Sequence, residues 1–168
     1  MGPLIVEAFR YNRWANLHLL DVCAGLNDEQ LAWTAPGTYG TIGATFQHLL
    51  SAEQRYLWRL VGREASLNED QPFPGIAELR RHAESSGDAL IEAAASVAHD
   101  QDEVYLFRNQ RVRMRPGVIV LQAMHHGNDH RAHVCTILGA HNVEYGEMDV
   151  WAYGYANAYA KDVDEAAC

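Results

Sequence analysis

The stretch Ala123–Leu138, "AMHHGNDHRAHVCTIL", sets four histidines, His125, His126, His130 and His133, in a run whose apolar residues recur at helical spacing. Histidine is not a preferred helix former, and four protonated rings this close would repel one another. On a wheel of about 100° per residue, His126 and His130 lie one turn apart on the same face. His133 stays on that stripe and His125 turns away. An i, i+4 pair of imidazoles can reach one cation, the spacing that zinc-binding helices use. The competing reading is a solvated face on which histidine has no chemical role. Two ligands are too few for a firm site, so a third must come from another element.

Other helices extend outward from this one. Pro116 suits the first helical position, and Gly139 stands where a C-cap would close the helix. From Leu4 to Ala24, Ile5, Phe9, Trp14, Leu17, Leu20 and Cys23 or Ala24 repeat at helical spacing, with Gly25 as a cap. Thr41 is a good N-cap for a helix running to Gly62 on a stripe of Ile42, Phe46, Leu49 or Leu50, Glu53, Leu57 and Leu60. After an irregular "REASLNEDQPFPG", an alanine-rich helix spans about Ile76 to Val97. In "DEVYLFRNQRVRMRPG" the apolar residues Val104, Leu106, Val112 and Met114 alternate with polar ones, which predicts a short β-hairpin around "RNQ". Asp149 caps a short C-terminal helix, beyond which the last residues fray. The expected architecture is all-α: a four-helix bundle with a short inserted β-hairpin and a short C-terminal helix, one domain over residues 1–168.

Composition limits the function. The chain has 168 residues, 13 basic and 22 acidic, for a net charge of −9. Such a surface grips nucleic acid poorly, because phosphates demand Lys and Arg. The short arginine cluster Arg108–Arg115 is a local exception, and Lys161 is the only lysine. Cys23, Cys135 and Cys168 are odd in number and far apart, so no disulfide framework is suggested. The N-terminus lacks a signal-like apolar run, and no stretch approaches the roughly 20 apolar residues of a membrane span. A reduced, cytoplasmic setting is expected.

His48 is the best third donor. It sits among Phe46, Leu49 and Leu50, where a histidine is either partnered or a ligand. Facing helices of a bundle assemble metal sites from such side chains. His48, His126 and His130 would form an N₃ set with open positions, the mark of a reactive rather than a structural site. Glu53 lies about 140° from His48 on the wheel, too far to share the ion. Cys135 is likewise out of reach and reads as a small buried hydrophobe. Asp129 reads as solvated or as a partner for Arg131 of a neighbour. Tyr11, Trp14, Tyr56 and Trp58 line either a pocket or plain core. His18, His82, His99 and His141 read as surface or loop residues.

Three stretches resemble a known family. "YNRWANLHLL" (Tyr11–Leu20), "GTYGTIGATFQHLLSAEQRYLWRL" (Gly37–Leu60) and "HHGNDHRAHV" (His125–Val134) are similar, in that order, to segments of the DinB/YfiT-like superfamily. The resemblance spans nearly the whole chain. It implies an up-down-down-up bundle, commonly a homodimer, with three histidine ligands that map onto His48, His126 and His130. The implied metal is zinc or nickel, and some relatives are transferases or isomerases that use a low-molecular-weight thiol. The chain departs from the family pattern at Ala132 and His133, where glycine and glutamine are common. His133 is then a fourth ligand, a hydrogen-bond partner of a ligand, or a neutral replacement.

Two functions follow as expectations. One is a metal-dependent, thiol-dependent transferase or a hydrolase acting on a small electrophile, in which the cation acts as a Lewis acid. The other is a non-enzymatic bundle that binds a metal or small molecule in a stress response. DNA binding is not expected, given the charge.

Overall fold

The computed structural model describes residues 3–97, 101–107 and 110–162. His99, Arg108, Asn109 and Cys168 lie outside them. The described residues form α1 (Pro3–Cys23), α2 (Asp28–Leu31), α3 (Ile42–Val61), α4 (Ile76–Ser96), β1 (Glu103–Phe107), β2 (Gln110–Met114), α5 (Pro116–Ala140) and α6 (Val150–Ala156). Thr41 caps α3 by accepting from Ala44 N at 3.1 Å, and left-handed Gly62 (φ 70°) ends it. Asp149 caps α6 by accepting from Ala152 N at 2.8 Å. The strands pair antiparallel, Val104 opposite Arg113 and Leu106 opposite Arg111. Among the described residues no helix is long and apolar enough to cross a membrane.

Helices α1 and α3 each pack against both α4 and α5, making a four-membered ring. Residue pairing gives the directions. Arg13 meets Asp88 at 2.7 Å and Asp21 meets Arg80 at 2.6 Å, so α1 and α4 run antiparallel. Phe9 shares a cluster with Val120 and Ala123, while Leu19 and Leu20 share another with Val134 and Ile137, so α1 and α5 run parallel. Leu49 with Leu79 in one cluster, and Leu57 with Leu90 in the other, make α3 and α4 parallel. The bundle is therefore up-down-down-up. The α3-to-α4 connection joins parallel neighbours, and the α1-to-α3 and α4-to-α5 connections join helices diagonal in the ring; none of these can be a tight turn, which explains the long connections before α3, α4 and α5.

A buried polar layer separates the two apolar clusters, and every bundle helix contributes to it. Asn12 and Asn16 donate to Glu53 Oε1 at 2.8 and 2.9 Å, and Ser86 Oγ donates to Glu53 Oε2 at 2.5 Å. Arg131 Nη1 donates to the same two asparagines at 2.7 and 2.6 Å, and Nη2 donates to Asn128 at 2.5 Å. The asparagine amides thus bridge a buried carboxylate and a buried guanidinium. Burial pushes the Glu53 carboxyl up and the Arg131 guanidinium down; their donors, acceptors and opposite charges resist both shifts. Gly127 makes room for the layer, since a Cβ there would stand 2.5 Å from Asn12 Oδ1.

Several expectations are corrected. Helix α2 was not foreseen, although Asn27 and Gln30 form a reciprocal capping box. Gly139 does not close α5, which continues to Ala140 and turns at left-handed Asn142 (φ 56°). Arg131 is no surface partner of Asp129; it is buried, and Asp129 instead pairs with His125 at 3.2 Å on the outside. His18 and His82 are half-buried and bonded, to Tyr145 O and Gln54 Nε2 at 2.8 and 3.0 Å. His141 is exposed and stacks on Trp33 at 3.9 Å.

Candidate metal centre

The bundle's antiparallel seam brings α3 and α5 face to face, with His48 on one side and His126 and His130 one turn apart on the other. One ring nitrogen of each lies within 4.8 Å of the other two. His48 Nε2 and His126 Nε2 are 3.0 Å apart, and the His130 ring centre is 4.7 Å and 4.3 Å from those of His48 and His126. Two nitrogens bound at ~2.0–2.1 Å to one tetrahedral ion stand about 3.3 Å apart. The His48–His126 pair is within a few tenths of an ångström of that separation.

The protonation states suit ligation. Burial, with the neighbouring imidazoles adding to it, pushes His126 down to about 3 and His130 down to about 4. Both rings are therefore neutral at physiological pH and keep a lone pair for a cation. Nδ1 of His126 and of His130 is buried without a hydrogen-bond partner among the described residues. His126 turns Nε2 toward His48, and three imidazoles that each bring one nitrogen to a common point fit a shared cation. The donor set thus fits a transition-metal cation.

Two residues that hold His48 were not foreseen. The Glu69 carboxylate and the Tyr39 hydroxyl, the latter at 2.9 Å, both reach His48 Nδ1. A carboxylate only accepts, so Nδ1 carries a proton, and Nε2 is the nitrogen turned to the cluster. Carboxylate–histidine pairing of this kind fixes the tautomer and raises ligand basicity. Tyr39 also stacks on His48 at 4.1 Å and meets His130 edge-on at 5.0 Å. Arg55 Nη1 holds Glu69 from the other side at 3.0 Å. Tyr39 and Glu69 lie in loops, where helical periodicity says nothing about direction.

Other candidates go elsewhere. The His133 ring lies 5.3 Å from that of His130, but its nitrogens are not among those that converge. Glu53 faces the polar layer and not the histidines. Cys135 is half-buried against the core, and burial raises its thiol to about 11 and that of Cys23 to about 12. Tyr11 and Trp14 pack with Tyr153 of α6, and Trp14 also lines a separate open cavity of about 440 Å³. Tyr56 does line a pocket: a cavity of about 490 Å³ that opens directly onto His48 and His126.

The family model described as DinB family matches residues 1–162 of the chain. The chain belongs to the DinB family. Among solved structures it is similar to a DinB-like protein from Bacillus cereus ATCC 10987, with a TM-score of 0.65, 20% identity, and coverage of 85% of this chain and 94% of that one. At that identity the likeness concerns the fold. No curated protein matches the chain.

Proposed function

We propose that His48, His126 and His130 hold one divalent transition-metal ion, zinc or nickel, and that this DinB-family protein is a metal-dependent transferase or hydrolase for a small electrophile, with a low-molecular-weight thiol as nucleophile in the transferase case. The observation that carries this reading is three converging imidazoles with no fourth protein ligand among the described residues. A closed four-ligand set would favour a structural role. The cation supplies Lewis acidity. The chain orients the ligands: Glu69 and Tyr39 fix the His48 tautomer, and the bundle seam keeps His126 and His130 neutral by burial. The cavity beside His48 and His126 gives a substrate access.

The reading is tested by turnover of electrophiles such as 1-chloro-2,4-dinitrobenzene with a small thiol, and of activated esters with water, wild type beside His130→Ala. Loss of turnover in the variant supports the proposal, and equal rates sink it. We further propose a cytoplasmic homodimer. Val118 and Leu121 on α5 (55% and 66% exposed) and Leu106 on the hairpin (51%) offer apolar surface for a second copy. Sedimentation at monomer mass across micromolar concentrations would contradict the dimer.

A further inference from the structure

The cavity next to the histidines presents a side-chain cation that no carboxylate among the described residues neutralises. Its walls are largely apolar, formed by Ala52 and Tyr56 of α3, Met114 of β2, and Val118 and Ile119 of α5. Two arginines also face it, Arg55 and Arg59. Arg55 is paired with Glu69 at 3.0 Å. Arg59 is different. It donates from Nη1 to Arg55 O at 3.0 Å, its guanidinium lies 5.8 Å from the Trp58 ring centre, and its Nε is buried with no partner. Among the described residues it makes no ion pair; Glu64 shares a neighbouring opening with it but does not bond it.

Position gives this charge a meaning. The contact with Arg55 O shows that the Arg59 side chain turns back toward His48. Seven residues separate His48 from Arg55, which is about 10 Å along the helix axis. A ligand bridging the two ends would have an apolar body of several carbons and an anionic head. The guanidinium fork matches a carboxylate, and a half-buried, unpaired arginine at the end of an apolar cavity is an arrangement that recognises one.

We propose that this cavity binds an amphipathic carboxylate, an acyl or aryl acid whose carboxylate sits on Arg59 and whose apolar body extends toward His48 and His126. That the far end of the ligand is the reacting end rests on the metal-centre reading above. The anion site itself does not rest on it.

The probe is 4-phenylbutyrate, compared with its uncharged analogue 4-phenylbutyramide by isothermal titration at fixed ionic strength. Wild type, Arg59→Gln and Arg59→Lys are each measured as purified and after chelator treatment, with folding checked by circular dichroism. Wild type should prefer the carboxylate by on the order of ten- to a hundredfold, the scale of charge-assisted hydrogen bonds. Arg59→Gln should bind both compounds equally, and Arg59→Lys should retain part of the preference. The preference should survive removal of metal. If it survives in a protein that never binds a metal, the anion site stands while the metal reading fails. If Arg59→Gln keeps the full preference, or the preference vanishes with the metal, the carboxylate binds elsewhere and the proposal is overturned.

Discussion

Removing Arg131 should destabilise the protein severely, and removing Glu53 together with it should restore much of the loss. The structure supplies the magnitude. Hydrogen bonds of 2.8 Å and 2.7 Å on either side of the Asn12 amide join the carboxylate to the guanidinium. Two unit charges roughly 6–7 Å apart, at an effective dielectric of about 20, attract by about 2.5 kcal/mol. Arg131→Met forfeits that attraction, leaves Asn12 and Asn16 with unsatisfied buried oxygens, and strands a buried anion; one-sided removals of this kind cost about 3–5 kcal/mol. For a chain of this size each kcal/mol lowers Tm by roughly 2–4 °C, so a fall of about 6–20 °C is expected. The sign with pH follows from Glu53, whose carboxyl burial already pushes up. Without Arg131 it rises further. A carboxyl raised in the folded state favours stability at low pH and loses that contribution as pH rises through its folded value, so the deficit of Arg131→Met should be larger at pH 8 than at pH 5. In Glu53→Gln/Arg131→Met no buried charge remains, and the double variant should be more stable than the Arg131→Met single variant. The assay is a double-mutant cycle by urea and thermal denaturation at both pH values. Additive losses, with a coupling energy below about 0.5 kcal/mol, would refute the account of this layer as one coupled unit.

Four further outcomes are expected. Gly127→Ala puts a methyl group against Asn12 Oδ1 and Arg131 Nη1 and should cost about 1–3 kcal/mol in denaturant unfolding, the range for overpacking a filled core. Metal-free protein should lose stability as pH falls from about 6.5 toward the values near 4 and 3 held by His130 and His126, because a depressed folded-state pKa favours the neutral ring and acid must charge it; His126→Gln should flatten that part of the Tm-against-pH curve. Glu69→Gln should weaken metal affinity by about 10–100-fold in competition with a chromogenic chelator, since it loosens the orientation of His48. Cys23 should resist thiol reagents at pH 7.5 in the native state and react quickly once urea unfolds the chain, because its thiol is buried and raised to about 12.

Much of the architecture was legible because amphipathic helices announce themselves by period. The bundle helices, Pro116 at the start of α5 and the alternation of the hairpin all came from local pattern. The convergence of the three histidines was legible for two reasons: an i, i+4 pair shares one helix face, and His48 interrupts an apolar face. The polar layer was harder. Asn12, Asn16, Glu53 and Ser86 are polar residues at core-facing positions of three helices, which was a usable signal, but each alone reads as an ordinary surface residue. Arg131 was misassigned because its sequence neighbour Asp129 offered a plausible partner, and only the packing of α1 against α5 shows that it points inward. Tyr39 and Glu69 had no signal at all, since loop direction depends on tertiary packing rather than on sequence spacing. The unpaired state of Arg59 is equally invisible in the sequence, because it depends on which carboxylates the fold leaves out of reach.

The central claim is that His48, His126 and His130 together bind one ion. Elemental analysis of purified protein, wild type beside His126→Ala, tests it most directly. The account predicts close to one equivalent of a transition metal per chain in the wild type and its loss in the variant. No metal in either protein after incubation with zinc or nickel, or the same content in both, would contradict it.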